Sequence, residues 1–177
     1  MNEDWEEDYQ IDDILKNKNK PKKVNGNKKG KRTERSLANI LNKRFGEGFS
    51  RSLGSGNRWA QVSNLPKHAK ETLTGDICCP EGFKFVIESK GGYSKIDLNN
   101  IFEKGNTELD NFISQVSKDS ERCLKKPLLI WKKDRRPWMV FIKKQDLIGE
   151  YQYKIYYRDW VIILLKELLE LPDNFFF

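Results

Sequence analysis

The stretch Gly75-Asp76-Ile77-Cys78-Cys79-Pro80-Glu81-Gly82-Phe83-Lys84-Phe85-Val86-Ile87-Glu88-Ser89-Lys90 decides how this chain is read. Thr72–Cys79 and Phe83–Lys90 read as β-strands, and Pro80-Glu81-Gly82 between them is short enough for a hairpin turn. Residues two apart on a strand share a face, so Glu88 and Lys90 project together. An antiparallel partner then sets Asp76 beside them. A strand as apolar as Phe83, Phe85, Val86 and Ile87 is buried on at least one face. Charges at its end are costly unless they are paired or bound to a metal.

Two readings follow. In one, Glu88 and Lys90 form an ion pair at a solvated strand end. In the other, two carboxylates and a lysine make a site for a hard cation and an attacking water. Mg2+ takes oxygen ligands and commonly uses one or two carboxylates while keeping several waters. Asp76 and Glu88 suit that role, with the Ser89 carbonyl as a further ligand. Lys90 then orients or deprotonates a water, or neutralises charge on a phosphate.

The surroundings favour the second reading. Lys31–Phe45 has the pattern of an amphipathic helix, with Leu37, Ile40, Leu41 and Phe45 at helical spacing. Thr33 is read as its start signal and Gly46 as its stop. Glu34 lies among Lys31, Arg32 and Arg35. It either complements the helix N-terminus or is a third acid leaning over the metal. Phe49-Ser50-Arg51-Ser52 and the hydroxyl-rich, positively charged loop Gly54-Ser55-Gly56-Asn57-Arg58 come next.

Taken in order, helical Glu34, a strand ending Phe49-Ser50-Arg51, Gly54-Ser55-Gly56, Gly75-Asp76 and Glu88-Ser89-Lys90 resemble the PD-(D/E)xK nuclease superfamily. Within it, the order is most similar to Holliday junction resolvases of the archaeal type. The match covers roughly residues 31–143. Gln115, in the next helix, resembles a Gln often found after the Glu-x-Lys strand and is read, with Ser55, as a DNA contact. The resemblance implies a restriction-endonuclease-like α/β (α+β) fold, a mixed sheet flanked by helices, carrying a one-metal or two-metal phosphodiesterase. It makes Asp76 and Glu88 the metal ligands, gives the nucleophilic water to Lys90, completes the acidic site with Glu34, and matches Ser55 to a loop serine near the scissile phosphate. Gly75 stands where the superfamily name has Pro, and Asn57 to Thr74 is longer than the compact resolvase loop.

Composition narrows the classes. With 177 residues there is enough chain for one core, and two full domains are not expected. We expect a disordered acidic-then-basic tail over 1–29 and a nuclease domain over 30–177 with a C-terminal helix over 158–171. No apolar run has transmembrane length, and the acidic start is unlike a secretory signal, so an intracellular, soluble protein without a membrane partner is expected. Cys78, Cys79 and Cys123 with only His68 lack the spacing of structural zinc and read as buried free thiols. His68 lies in a polar loop without a marked nucleophile, which argues against Ser-His or Cys-His chemistry. No Gly-rich phosphate loop with a following Lys-Ser/Thr is present, so ATP use is not indicated.

The net charge is +7, and its distribution is uneven. Residues 1–15 hold seven acids and no base, whereas residues 16–44 hold twelve bases and one acid, Glu34. A basic block of this kind is an electrostatic footprint for nucleic acid, or else a solubilising tail. Lys31, Arg32, Arg35, Arg51 and Arg58 are read as guides for a DNA backbone. Lys132–Arg136 is either a phosphate grip or a plain solvated turn.

Downstream we expect a helix over 106–123, strands over 127–132 and 137–142, and a helix over Trp160–Leu171 whose broad apolar face serves core packing or a dimer. The crossover after the Glu-x-Lys strand implies one parallel pairing in an otherwise antiparallel sheet. Phe175-Phe176-Phe177 either packs on the domain, the favoured reading, or offers a protein-partner pocket. The N-terminal acidic segment is a second partner candidate.

Together these readings give a Mg2+-dependent endonuclease, with Mn2+ substituting, that hydrolyses phosphodiester bonds of branched DNA as a homodimer. The alternatives are a nicking or restriction-like nuclease of other DNA, and a catalytically inactive nucleic-acid-binding protein on the same scaffold.

Overall fold

The computed structural model describes residues 26–52, 62–92 and 107–177. Ser55, Arg58 and the acidic segment fall outside the described residues, as does the part of the basic block before Gly26.

Strands β3 (Phe85–Gly91), β4 (Lys126–Lys132), β5 (Trp138–Lys143), β6 (Ile155–Tyr157) and β7 (Trp160–Leu164) form one sheet in the order β3-β4-β5-β7-β6. The near-continuous apolar runs of β3, β4, β5 and β7 reflect burial on both faces. Phe85, Ile87, Leu128, Ile130, Val140, Ile142, Val161 and Ile163 pack on one side with Leu37, Ala38 and Leu41 of helix α1 (Gly26–Phe45). Val86, Leu129, Trp131, Phe141, Trp160 and Ile162 pack on the other with Leu109, Phe112 and Val116 of helix α3 (Thr107–Cys123). The sheet therefore lies between helices.

β3 and β4 are parallel, with Lys90 opposite Trp131 and Gly91 opposite Lys132. The other three pairings are antiparallel. This is the single parallel pairing that the helical crossover implies, since a parallel partner cannot be reached by a tight turn. A smaller ladder joins β1 (Ser50–Arg51) to β2 (Ile77–Cys78), with Ser50 opposite Cys78 and Arg51 opposite Ile77.

Several local expectations are corrected. α1 is already helical at Gly26, so Thr33 is interior and not a start signal; its hydroxyl donates to the Lys29 carbonyl one turn back. Glu34 is then two turns inside the helix, too far from the N-terminus to complement its dipole. The expected strand over 72–79 shrinks to β2. Helix α2 (Lys67–Leu73) occupies most of the described part of the expected loop. The expected hairpin between β2 and β3 is replaced by a single backbone bond, from the Asp76 N–H to the Ile87 carbonyl at 2.9 Å.

The expected C-terminal helix is replaced by strand β7, then a single turn, α4 (Leu165–Leu168). Alternate residues of Trp160-Val161-Ile162-Ile163 fill opposite cores, which imitates a broad apolar helix face. That surface is interior and is not left for a dimer. Phe175 and Phe176, on the last turn α5 (Asp173–Phe176), are buried against Phe45, Phe83 and Phe85. They are part of the core and not a partner pocket. Among the described residues, no helix is long and apolar enough to cross a membrane.

Candidate active site at the open edge of the sheet

β3 is an edge strand, bonded to β4 on one side. Its other side is met by Asp76. The Asp76 N–H donates to the Ile87 carbonyl, and the Ser89 N–H donates to Asp76 Oδ2 at 2.9 Å. One aspartate thus stands in for a neighbouring strand. Because the N–H and carbonyl of one strand residue point the same way, the Ser89 carbonyl faces this same open edge.

Gly75 makes the approach possible. Its φ is +88°, and a Cβ there would lie 2.6 Å from the Ile87 carbonyl oxygen. Proline, locked near −65°, cannot take this conformation. Glycine is therefore required here and is not an interchangeable substitute for Pro.

On the α3 side, Glu88 is 1 % exposed and pairs with Lys90 Nζ at 2.5 Å. Lys90 Nζ also donates to Gln115 Oε1 at 3.0 Å and sits 5.1 Å from the centre of the Phe112 ring. Burial pushes the Glu88 carboxyl well above the carboxylate range; the Asp76 charge adds to this and Lys90 opposes it. From α1, Glu34 accepts from Arg51 Nε at 2.7 Å, and both side chains are largely buried. Desolvation and the Asp76 charge raise the Glu34 pKa against the pull of Arg51 and Lys90.

Asp76, Glu88, Lys90, Ser89, Gln115 and Glu34 therefore converge on one strand end. Arg51 is brought in as the partner of Glu34. Lys31, Arg32 and Arg35 are exposed on α1. Asp119 was not singled out in the sequence. It follows Gln115 by one helical turn, pairs with Arg122 at 3.2 Å, and has a pKa raised by burial and by the Asp76 charge. The i, i+4 spacing from Gln115 was the available signal.

Among the described residues, no three of His, Cys, Asp and Glu form a ready metal cage. What is present suits an open site. Two carboxyls crowd one another where a single lysine offsets their charge, and a backbone carbonyl borders them. Mg2+ accepts one or two carboxylates and completes its shell with water, so the donor set fits a divalent ion.

The protein is a nuclease by family. The chain belongs to the family described as "Phage putative PDDEXK endonuclease", whose model matches residues 25–171. It is 32% identical over 127 residues to Protein D14 of Escherichia phage T5, covering 70% of this chain and 74% of that protein. Among solved structures it is similar to Hjc, a Holliday junction resolvase of Archaeoglobus fulgidus, at 21% identity and a TM-score of 0.36. That match covers 77% of this chain and 89% of the other.

Proposed function

We propose that this endonuclease is metal-dependent, acts on DNA, and uses Asp76, Glu88 and the Ser89 carbonyl to hold a Mg2+ ion, for which Mn2+ substitutes. The reading is carried by the Asp76 carboxylate, fixed by the Ser89 N–H beside a buried Glu88 that is already paired with Lys90. A bound divalent ion supplies Lewis acidity toward a water and the scissile phosphate.

The remaining roles fall to the chain's own groups. Lys90, positioned by Gln115 and Phe112, orients the attacking water or neutralises charge on the scissile phosphate through its ammonium. Gln115 keeps the ammonium at the strand end. Glu34 holds Arg51 beside the acids, and through Arg51 it aligns β1 with the site. Arg51 turns inward to Glu34, which leaves Lys31, Arg32 and Arg35 to contact the DNA backbone, with Ser55 and Arg58 contributing from the loop.

Branched DNA is the proposed substrate, on the order of Glu34, Arg51, Gly54-Ser55-Gly56, Asp76 and Glu88-Ser89-Lys90. A resolvase cuts two strands symmetrically, so a two-fold homodimer goes with that substrate. Helix α2, inserted between Ser52 and Asp76, favours a second reading, in which this segment directs a nicking or restriction-like cut on other DNA.

The test incubates a four-way junction, linear duplex and single strand with Mg2+. Preferential junction cleavage is expected, and equal cutting of all three removes the junction assignment. Asp76→Ala and Lys90→Ala should each lower the cleavage rate by at least about a hundredfold while most DNA binding is kept. Wild-type rates in both variants would overturn the site.

A further inference from the structure

We infer that the β4–β5 turn, Lys132 to Arg136, is a backbone grip for one arm of duplex DNA, joined with the exposed side of α1 into one cationic surface that leads away from Lys90. This rests on the reading of DNA as substrate.

The parallel pairing of β3 and β4 puts their carboxyl ends together, beside Glu88 and Lys90. Lys90 lies opposite Trp131 and Gly91 opposite Lys132, so the turn begins where the candidate site ends.

The turn is held in place. Lys29 of α1 makes an ion pair with Asp134 at its tip. The Gly92 N–H donates to the Lys132 carbonyl at 2.9 Å, and Lys132 Nζ bonds the Arg136 carbonyl. Asp134 is the one acid between Lys132 and Arg136, and its charge faces Lys29. Arg135 and Arg136 remain exposed beside a helix that presents Lys28, Lys31, Arg32 and Arg35 to solvent.

Arg135 has φ +56°, a left-handed conformation in which glycine or asparagine costs less. An arginine at that position adds positive charge at a backbone cost. A phosphate partner gives that charge a use, whereas a plain solvated turn does not.

The test measures binding of a short labelled duplex by fluorescence anisotropy in EDTA across a salt series, using the full chain. The variants are Arg135→Gly, Arg136→Ala and their double. Lys126→Ala, at the opposite end of β4, is the control. Arg135→Gly relieves the left-handed strain, so its melting temperature should equal or exceed that of wild type, and lost binding then cannot be attributed to unfolding. We expect the double variant to bind roughly tenfold more weakly, with a log–log salt slope shallower by about two. Lys126→Ala should stay close to wild type. Unchanged affinity and slope in the double variant, or an equal loss in Lys126→Ala, overturns the grip. Binding in EDTA is read without cleavage, so failure of the nuclease reading would show separately, as both four-way junction and duplex left intact after Mg2+ is supplied.

Discussion

Burial of Glu88 at the end of β3 raises its affinity for a proton, first by desolvation and then through the Asp76 charge, with Lys90 opposing both. A carboxyl whose folded pKa exceeds its unfolded value stabilises the fold most while protonated, and that contribution is lost as pH rises through the folded value. Glu88→Gln keeps the shape and removes the charge. At pH 8 in EDTA it should raise stability by about 1 kcal/mol, or about 2–4 °C in a chain of this size. The gain should shrink as pH falls toward 4.5, the ordinary glutamate value, and cleavage should be lost. No gain at pH 8 would contradict the account of Glu88. Gly75→Ala acts differently: its Cβ meets the Ile87 carbonyl oxygen at 2.6 Å in a left-handed backbone. It should cost about 1–2 kcal/mol and also slow cleavage, because Asp76 hangs on the adjoining bond to Ile87. Denaturant melts and a cleavage assay check both effects. Strand alternation fixes the side that Glu88 and Lys90 share within three residues, so that pair was legible in the sequence. The route of Asp76 to them was not, because it depends on the sign of φ at Gly75. The pairing of Glu34 with Arg51 depends on a contact across two elements that no local pattern encodes.

At the scale of elements, the position of α1 over β3 depends on a close contact between Gly91 and Thr33. A Cβ on Gly91 would stand 2.3 Å from Thr33 Oγ1 and 2.9 Å from Thr33 Cβ. Gly91→Ala therefore has to push α1 off the sheet, at a cost of about 1–3 kcal/mol. Since α1 carries Glu34, cleavage should fall as well. Thr33→Ala removes the nearer atom and should return part of the stability in the double variant. Strict additivity in that double-mutant cycle, read from urea melts, would show that the two residues do not meet. The helices and central strands were legible because their apolar spacing is regular over many residues: Leu37, Ala38 and Leu41 mark α1, and Leu109, Phe112 and Val116 mark α3. Trp160–Leu164 was not legible as a strand. Its residues are apolar on both sides because both faces of the sheet are covered, and a short two-sided apolar run has no period that separates strand from helix. The β-branched Val161, Ile162 and Ile163 favoured a strand, and the leucines after them concealed the change of element.

At the scale of the whole molecule, the last residues close one core. Arg44 donates to the carbonyls of Leu169 and Leu171 at 2.7 and 2.9 Å and pairs with Asp173 at 2.8 Å, tying the chain end to α1. Phe176 then lies 4.7 Å, centre to centre, from Phe45, within a cluster that includes Phe83 and Phe85. Phe176 is 1 % exposed and Phe177 is 37 % exposed, so neighbouring identical residues should differ sharply when truncated. Phe176→Ala removes a fully enclosed ring and leaves a cavity, which costs about 3–5 kcal/mol. That is a large share of the roughly 5–15 kcal/mol typical of a whole domain. Phe177→Ala loses only partly buried area and should cost about 1 kcal/mol. Urea unfolding should therefore shift far more for Phe176→Ala, with an unchanged slope. Cleavage per folded molecule should change little, because Phe45 and Glu34 lie three helical turns apart on α1. Equal costs for the two truncations would mean that the chain end is not part of the core, and would reopen it as a surface for a protein partner.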